Sequence, residues 1–222
     1  RLPNLKNAWD VVTAKLALYD PGNQYAVNYM WGTTGIGYNV AAAKKILGEG
    51  AVIDSWDIVF KPENLAKFAD CGVHMLDSAD DILPAALTYL GRDPNSTNKD
   101  DLEKAAEVVG KVQPSVRKFH SSEYLNALAT GEICLVVGWS GDIKQAQSRA
   151  AESNNGVQIG YAIPKQGAQM FFDNLAIPAD AKNVAEAHEL INFLYRPDIA
   201  ARNSDFLSYA NGNKTSQDFI NP

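Results

Sequence analysis

Two places in the sequence set an aromatic ring near a carboxylate at a spacing suited to holding a cation. In Gly138-Trp139-Ser140-Gly141-Asp142 the indole and the carboxylate are three residues apart; in Phe171-Phe172-Asp173 the first ring and the carboxylate are two apart. An aromatic face attracts a cation through its quadrupole, and a carboxylate supplies the counter-charge and a charge-assisted hydrogen bond. On a strand, Phe171 and Asp173 share one face, while Phe172 points to the other and is expected in the core. Each place also has a plainer reading. Trp139 can plug a core while Asp142 sits as an anion at a helix N-terminus, and Asp173 can be an edge-strand residue beside two core phenylalanines. The residues alone leave both readings open.

Other chemistries fit less well. Gly138 to Asp142 misses the G-x-S-x-G nucleophile elbow, because Asp142 stands where glycine is required and no histidine follows nearby. Gly32-Thr33-Thr34-Gly35-Ile36-Gly37 is neither the dinucleotide fingerprint nor a P-loop; a strand or crossover with close backbone approach is expected there. Asp142 and Asp173 could form a carboxylate pair for glycoside hydrolysis, but that needs a defined separation. Asp77, Asp80 and Asp81 crowd one expected helix start, where capping and the helix dipole account for them, although one of them could face a ligand. The cysteines, Cys71 and Cys134, form no C-x-x-C, and His74, His120 and His188 lie far apart, so no zinc site is expected. Two buried thiols and one disulfide both fit the cysteine pattern.

These residues need elements to position them. Val73–Leu76 and Val116–Phe119 read as short strands. The continuous apolar run Ile133–Val137 reads as a strand buried on both faces. Val157–Ile163 and Met170–Ile177 read as further strands. Helices are expected from Ser78, its N-cap, to a stop at Gly91; over Asp101–Val109; from Ser121 to about Gly131; over Ile143–Glu152; over Val184–Leu194; and from Ile199. Strands alternating with helices indicate an α/β fold with a largely parallel sheet, whose ligands lie beyond the carboxyl ends of the strands. Trp139 and Asp142 stand at such an end.

Composition narrows the classes. The 222 residues carry 20 Lys and Arg against 26 Asp and Glu, a net charge of −6, which is no electrostatic footprint for nucleic acid. With 46% hydrophobic and 21% charged residues the chain can bury an ordinary core. Its longest apolar run falls far short of the roughly 20 residues of a membrane span. The chain begins Arg1-Leu2-Pro3 and ends Ile220-Asn221-Pro222, as expected of a segment of a longer protein.

Several stretches together resemble one family. Met30-Trp31-Gly32-Thr33-Thr34-Gly35-Ile36-Gly37-Tyr38-Asn39, Asp54-Ser55-Trp56-Asp57 with Lys61-Pro62-Glu63-Asn64-Leu65, Asp93 to Thr97, Phe119 to Ser122, and both aromatic–carboxylate segments are similar, in order, to periplasmic polyamine-binding proteins of bacterial ABC importers. The resemblance implies a two-lobed α/β fold of the type II periplasmic binding class, without the family's N-terminal segment and C-terminal end. It implies the remainder of lobe one in residues 1–28, lobe two in 29–166, and the second crossover with the return to lobe one in 167–222. It further implies that the chain is not an enzyme and uses no cofactor or metal. A polyamine, putrescine or spermidine, would lie in the interlobe cleft. Trp139 and Phe171 would stack on it, Asp142 and Asp173 would pair with its ammonium groups, and Tyr209 would line the cleft. Asp80 would stand where relatives carry a longer Glu. A Cys71–Cys134 disulfide, a periplasmic location and delivery to permease subunits complete what the resemblance implies. The alternatives are a binder of another organic cation or amine, and a hydrolase using Asp142 and Asp173.

Overall fold

The structure is a computed structural model and describes residues 2–221. Its elements in chain order are α1 (Asp10–Leu16), β1 (Ala26–Asn39), α2 (Val40–Leu47), α3 (Asp57–Phe60), α4 (Pro62–Leu65), β2 (Val73–Met75), α5 (Ala79–Tyr89), α6 (Lys99–Val112), β3 (Lys118–Phe119), α7 (Tyr124–Thr130), β4 (Leu135–Trp139), α8 (Ser140–Ser153), β5 (Ile159–Ala162), β6 (Met170–Ala176), α9 (Val184–Leu194), α10 (Pro197–Leu207) and β7 (Ala210–Asn211). Among the described residues no helix is long and apolar enough to cross a membrane. The chain divides into two compact units. Thr33–Met170 forms one, and the chain up to Gly32 together with that from Phe171 forms the other. The divisions fall inside β1 and β6, about four residues beyond the boundaries expected at 28/29 and 166/167.

In the Thr33–Met170 unit the sheet order is β3-β2-β4-β1-β5. β2 runs parallel to β3 and β4, with His74 opposite Lys118 and Val136. β1 runs antiparallel to both β4 and β5, with Ile36 opposite Val137 and Ala162. The expected largely parallel sheet is thus corrected to a mixed one: four strands share a direction and β1, inserted between β4 and β5, opposes them. The reason lies in connectivity. A crossover helix returns the chain parallel to its previous strand, but β1 reaches β4 through no such unit.

β4 is buried on both faces, with Leu135, Val136 and Val137 at 0–1% exposure, as its unbroken apolar run requires. Around it Trp56, Phe60, Leu65, Phe68, Leu87, Leu128 and Ile143 form the core. Gly35 and Gly37 lie in the second half of β1. A Cβ on Gly35 would stand 2.6 Å from the Ala162 carbonyl oxygen and from the Tyr161 hydroxyl, so Gly35 marks close backbone approach, as the sequence predicts, while a Cβ on Gly37 would meet the Ile143 and Val136 side chains. The Tyr161 hydroxyl donates to the Thr33 carbonyl at 3.0 Å, and burial pushes its pKa up to about 12.

α5 ends at Tyr89 with Leu90 as its C-cap, and Gly91 follows with a φ of +70° that suits glycine. Its Ser78 sits at the N-cap, but the hydroxyl donates to the Asp81 carboxylate at 2.7 Å instead of capping the backbone. A Cys71–Cys134 disulfide joins the chain just before β2 to the start of β4, with Cα atoms 5.7 Å apart.

Off the β3-β2-β4-β1-β5 path, β6 and β7 also pair with β1; β7 meets its early part, Met30 opposite Asn211 and Trp31 opposite Ala210. The Trp31 indole donates to the Asn211 carbonyl at 3.2 Å. The buried Asn211 amide donates to Ser204 Oγ at 2.7 Å and ties β7 to α10. Phe172, expected in the core, is only half-buried. β6 carries no fully buried side chain.

Candidate functional site

The Thr33–Met170 unit holds Trp139, Asp142 and Asp80. β4 passes into α8 without a loop, because Trp139 keeps extended backbone and Ser140 already begins the helix. Asp142 therefore stands in the first turn of α8, where the dipole favours an anion. Its carboxylate accepts the Tyr124 hydroxyl at 2.7 Å, and the Tyr124 oxygen accepts the Trp139 backbone N–H at 3.2 Å. One tyrosine thus ties the ring-bearing residue to the carboxylate. Tyr124 is itself fully buried. It fits because β4 carries glycine at 138: a Cβ there would lie 2.8 Å from its ring.

The half-buried Trp139 has a second anchor. Its Nε1–H donates to Asp81 Oδ1 at 3.2 Å. Asp81 is 7% exposed and also takes hydrogen bonds from Thr34 Oγ1 at 2.5 Å and Ser78 Oγ at 2.7 Å. Thr34 is the residue that β1 sets opposite Trp139. Asp80, the expected ligand residue, is exposed in the first turn of α5, and Asp77 is exposed as well. The structure therefore brings Asp81, not Asp80, to the indole. The sequence carried a faint signal: Asp81 lies one residue before Ile82 and four before Ala85, both buried, so it stands near the buried face of α5.

The second unit holds Phe171, Asp173 and Tyr209. The Phe171 and Tyr209 rings meet edge to face, with centroids 6.2 Å apart and planes at 65°. Tyr209 is delivered to this position by Ser208, whose φ of +60° ends α10. Asp173 lies two residues along β6 from Phe171, and its backbone carbonyl accepts the side-chain amide of the buried Asn28 at 3.1 Å. Part of the Asp173 side chain is exposed, yet burial raises its pKa above the usual aspartate value. Such a carboxylate gains from a cationic partner. A space of about 500 Å³ in this unit, lined by Leu5, Tyr25, Leu175 and Ile191 among others, is touched by none of these three residues. Among the described residues no cluster of three or more His, Cys, Asp or Glu could hold a metal ion.

Chemically, each unit offers aromatic surface and a carboxylate, and that of Asp142 is held by the Tyr124 hydroxyl. The hydroxyls closest to Asp81 and Asp142 are engaged in orienting those carboxylates. Ser140 Oγ accepts the Thr33 backbone N–H at 3.2 Å, which gives it a structural task.

Residues 2–221 match the family model described as bacterial extracellular solute-binding protein. The chain is 49% identical over 221 residues to the putrescine-binding periplasmic protein PotF of Escherichia coli strain K12, covering 99% of the chain and 60% of that protein. It is also 49% identical over 220 residues to the putrescine-binding periplasmic protein SpuD of Pseudomonas aeruginosa strain UCBPP-PA14, with the same coverage. The chain thus spans about three-fifths of the length of these curated relatives. Among solved structures, the TpPotD lipoprotein of Treponema pallidum superposes with a TM-score of 0.80 at 27% identity, over 99% of this chain and 65% of that one.

Proposed function

The chain belongs to the bacterial extracellular solute-binding protein family, and from that premise we propose that it captures a linear polyamine, putrescine foremost, in the periplasm and hands it to the permease of an ABC importer. The carrying observation is the pair of aromatic–carboxylate sets, Trp139 with Asp142 and Phe171 with Asp173, each held by its own elements. A diamine presents two ammonium groups separated by methylenes. An ammonium taken from water without a partner is heavily penalised, so the ligand calls for two carboxylates with apolar surface along its length. In this reading Asp142 and Asp173 each answer one ammonium, Trp139 and Phe171 stack on the methylenes, and Tyr209 steadies the Phe171 ring. Asp80, exposed and short, contributes charge at a distance. The names of the 49% identical relatives support the choice of putrescine.

A thermal-shift screen tests the reading, since a ligand that binds only the folded state raises its apparent stability by mass action. Putrescine is expected to raise the melting temperature in proportion to the logarithm of its concentration, while neutral sugars and anionic amino acids leave it unchanged. Turnover of a glycoside, or a shift produced by sugars and not by diamines, would sink it.

A further inference from the structure

We infer that Asp81 is a specificity-determining residue that acts through Trp139: its buried carboxylate fixes the indole plane and makes the ring face more attractive to a cation. The inference rests on the proposed polyamine reading and deepens it.

Three donors converge on this one carboxylate: the Trp139 indole N–H at 3.2 Å, the Thr34 hydroxyl at 2.5 Å and the Ser78 hydroxyl at 2.7 Å. An ionised carboxylate only accepts, so both hydroxyls point their protons at it. Asp81 is 7% exposed and Thr34 is 1% exposed, so little water screens the charge. The donors come from three separate elements, β1, the start of α5 and the end of β4, and they fix Asp81 in place. Helix capping does not explain the arrangement, because Ser78 spends its hydroxyl on the side chain rather than on the backbone. A tryptophan that served only as a core plug would need one acceptor for its N–H, and a backbone carbonyl would do.

A full negative charge at the indole N–H has two consequences. It removes rotational freedom from the ring before any ligand arrives, which lowers the ordering cost of binding. It also raises electron density across the ring and adds its own negative potential at the ring edge, which strengthens the attraction of the face for a cation. A neutral ligand of similar shape gains only the first. Asp81 thereby favours ammonium over uncharged groups without touching the ligand.

The test is a double-mutant cycle on the full chain, read by titration calorimetry with putrescine. Asp81→Asn keeps the shape and can still accept from the indole, but loses the charge. Trp139→Phe keeps a ring and removes the N–H. Asp81→Asn alone is expected to weaken putrescine about tenfold, within the range by which cation–ring attractions are tuned. In the Trp139→Phe background the same change is expected to have less than about a twofold effect, because coupled residues are not additive. The indole N–H proton resonance of Trp139, observed without ligand, is expected to move upfield in Asp81→Asn. Equal losses in both backgrounds, or an unmoved resonance, would overturn the inference while leaving the polyamine reading intact. A wild-type chain that binds no amine would overturn the polyamine reading, and the inference with it. A folding defect in Asp81→Asn would lower affinity in the Trp139→Phe background as well, so the cycle separates misfolding from the proposed coupling.

Discussion

Burial holds the Asp173 proton more tightly than in an unfolded chain, and the sign of the consequence is fixed by linkage. Between the unfolded pKa near 3.9 and the raised native value, the native state binds more protons. Stability contributed by this group therefore falls as pH rises through that window, and the penalty is fully present at neutral pH. Asp173→Asn is expected to stabilise the ligand-free protein at pH 7, by less than about 1 kcal/mol once solvent screening is allowed for, with the gain shrinking towards pH 4. Urea midpoints at the two pH values check this. An ammonium partner needs the ionised form, so putrescine affinity is expected to weaken on acidification at pH values above those of an ordinary aspartate. At this scale the sequence was partly legible. Trp139 with Asp142, and Phe171 with Asp173, are visible as local spacings. The Trp139–Asp81 bond joins residues 58 positions apart, and no local pattern announces such a contact.

At the scale of elements, β1 and β4 frame the region around Trp139. β4 was readable because five consecutive apolar residues buried on both faces suit little else. β1, fourteen residues long, was readable as a strand or crossover of close backbone approach around its glycines, but not in its extent, because glycine lacks intrinsic strand preference. Its direction was not legible at all: alternating strands and helices imply parallel pairing, and only the three-dimensional insertion between β4 and β5 reverses it. α8 begins three residues before its first apolar residue, Ile143, and this puts Asp142 in the helix rather than in a loop ahead of it. Gly35→Ala tests the packing of β1. The added Cβ would stand 2.6 Å from a backbone oxygen and 2.7 Å from the Tyr161 ring, in a strand paired on both sides. A loss of about 1–3 kcal/mol is expected in chemical denaturation. A substitution without effect would mean that β1 and β5 are free to separate.

For the molecule as a whole, the family assignment covers residues 2–221, and within that span the cysteines bear on stability. The Cys71–Cys134 bridge spans 63 residues of the Thr33–Met170 unit. Closing a loop of that length restricts the unfolded chain by about 4 kcal/mol in the chain-entropy account, so Cys71→Ser with Cys134→Ser is expected to lower the denaturation free energy by a similar amount, and reducing agent to do the same. Cysteine spacing alone left the bridge undecided; the family resemblance implied it. The central claim is that two carboxylates on separate elements recognise the two ends of a diamine. Titration calorimetry of putrescine against the wild type, Asp142→Asn and Asp173→Asn tests it most directly. Each substitution is expected to cost about 2–5 kcal/mol of binding free energy, as truncating one partner of a buried charge pair does; unchanged affinity in both variants would contradict the account.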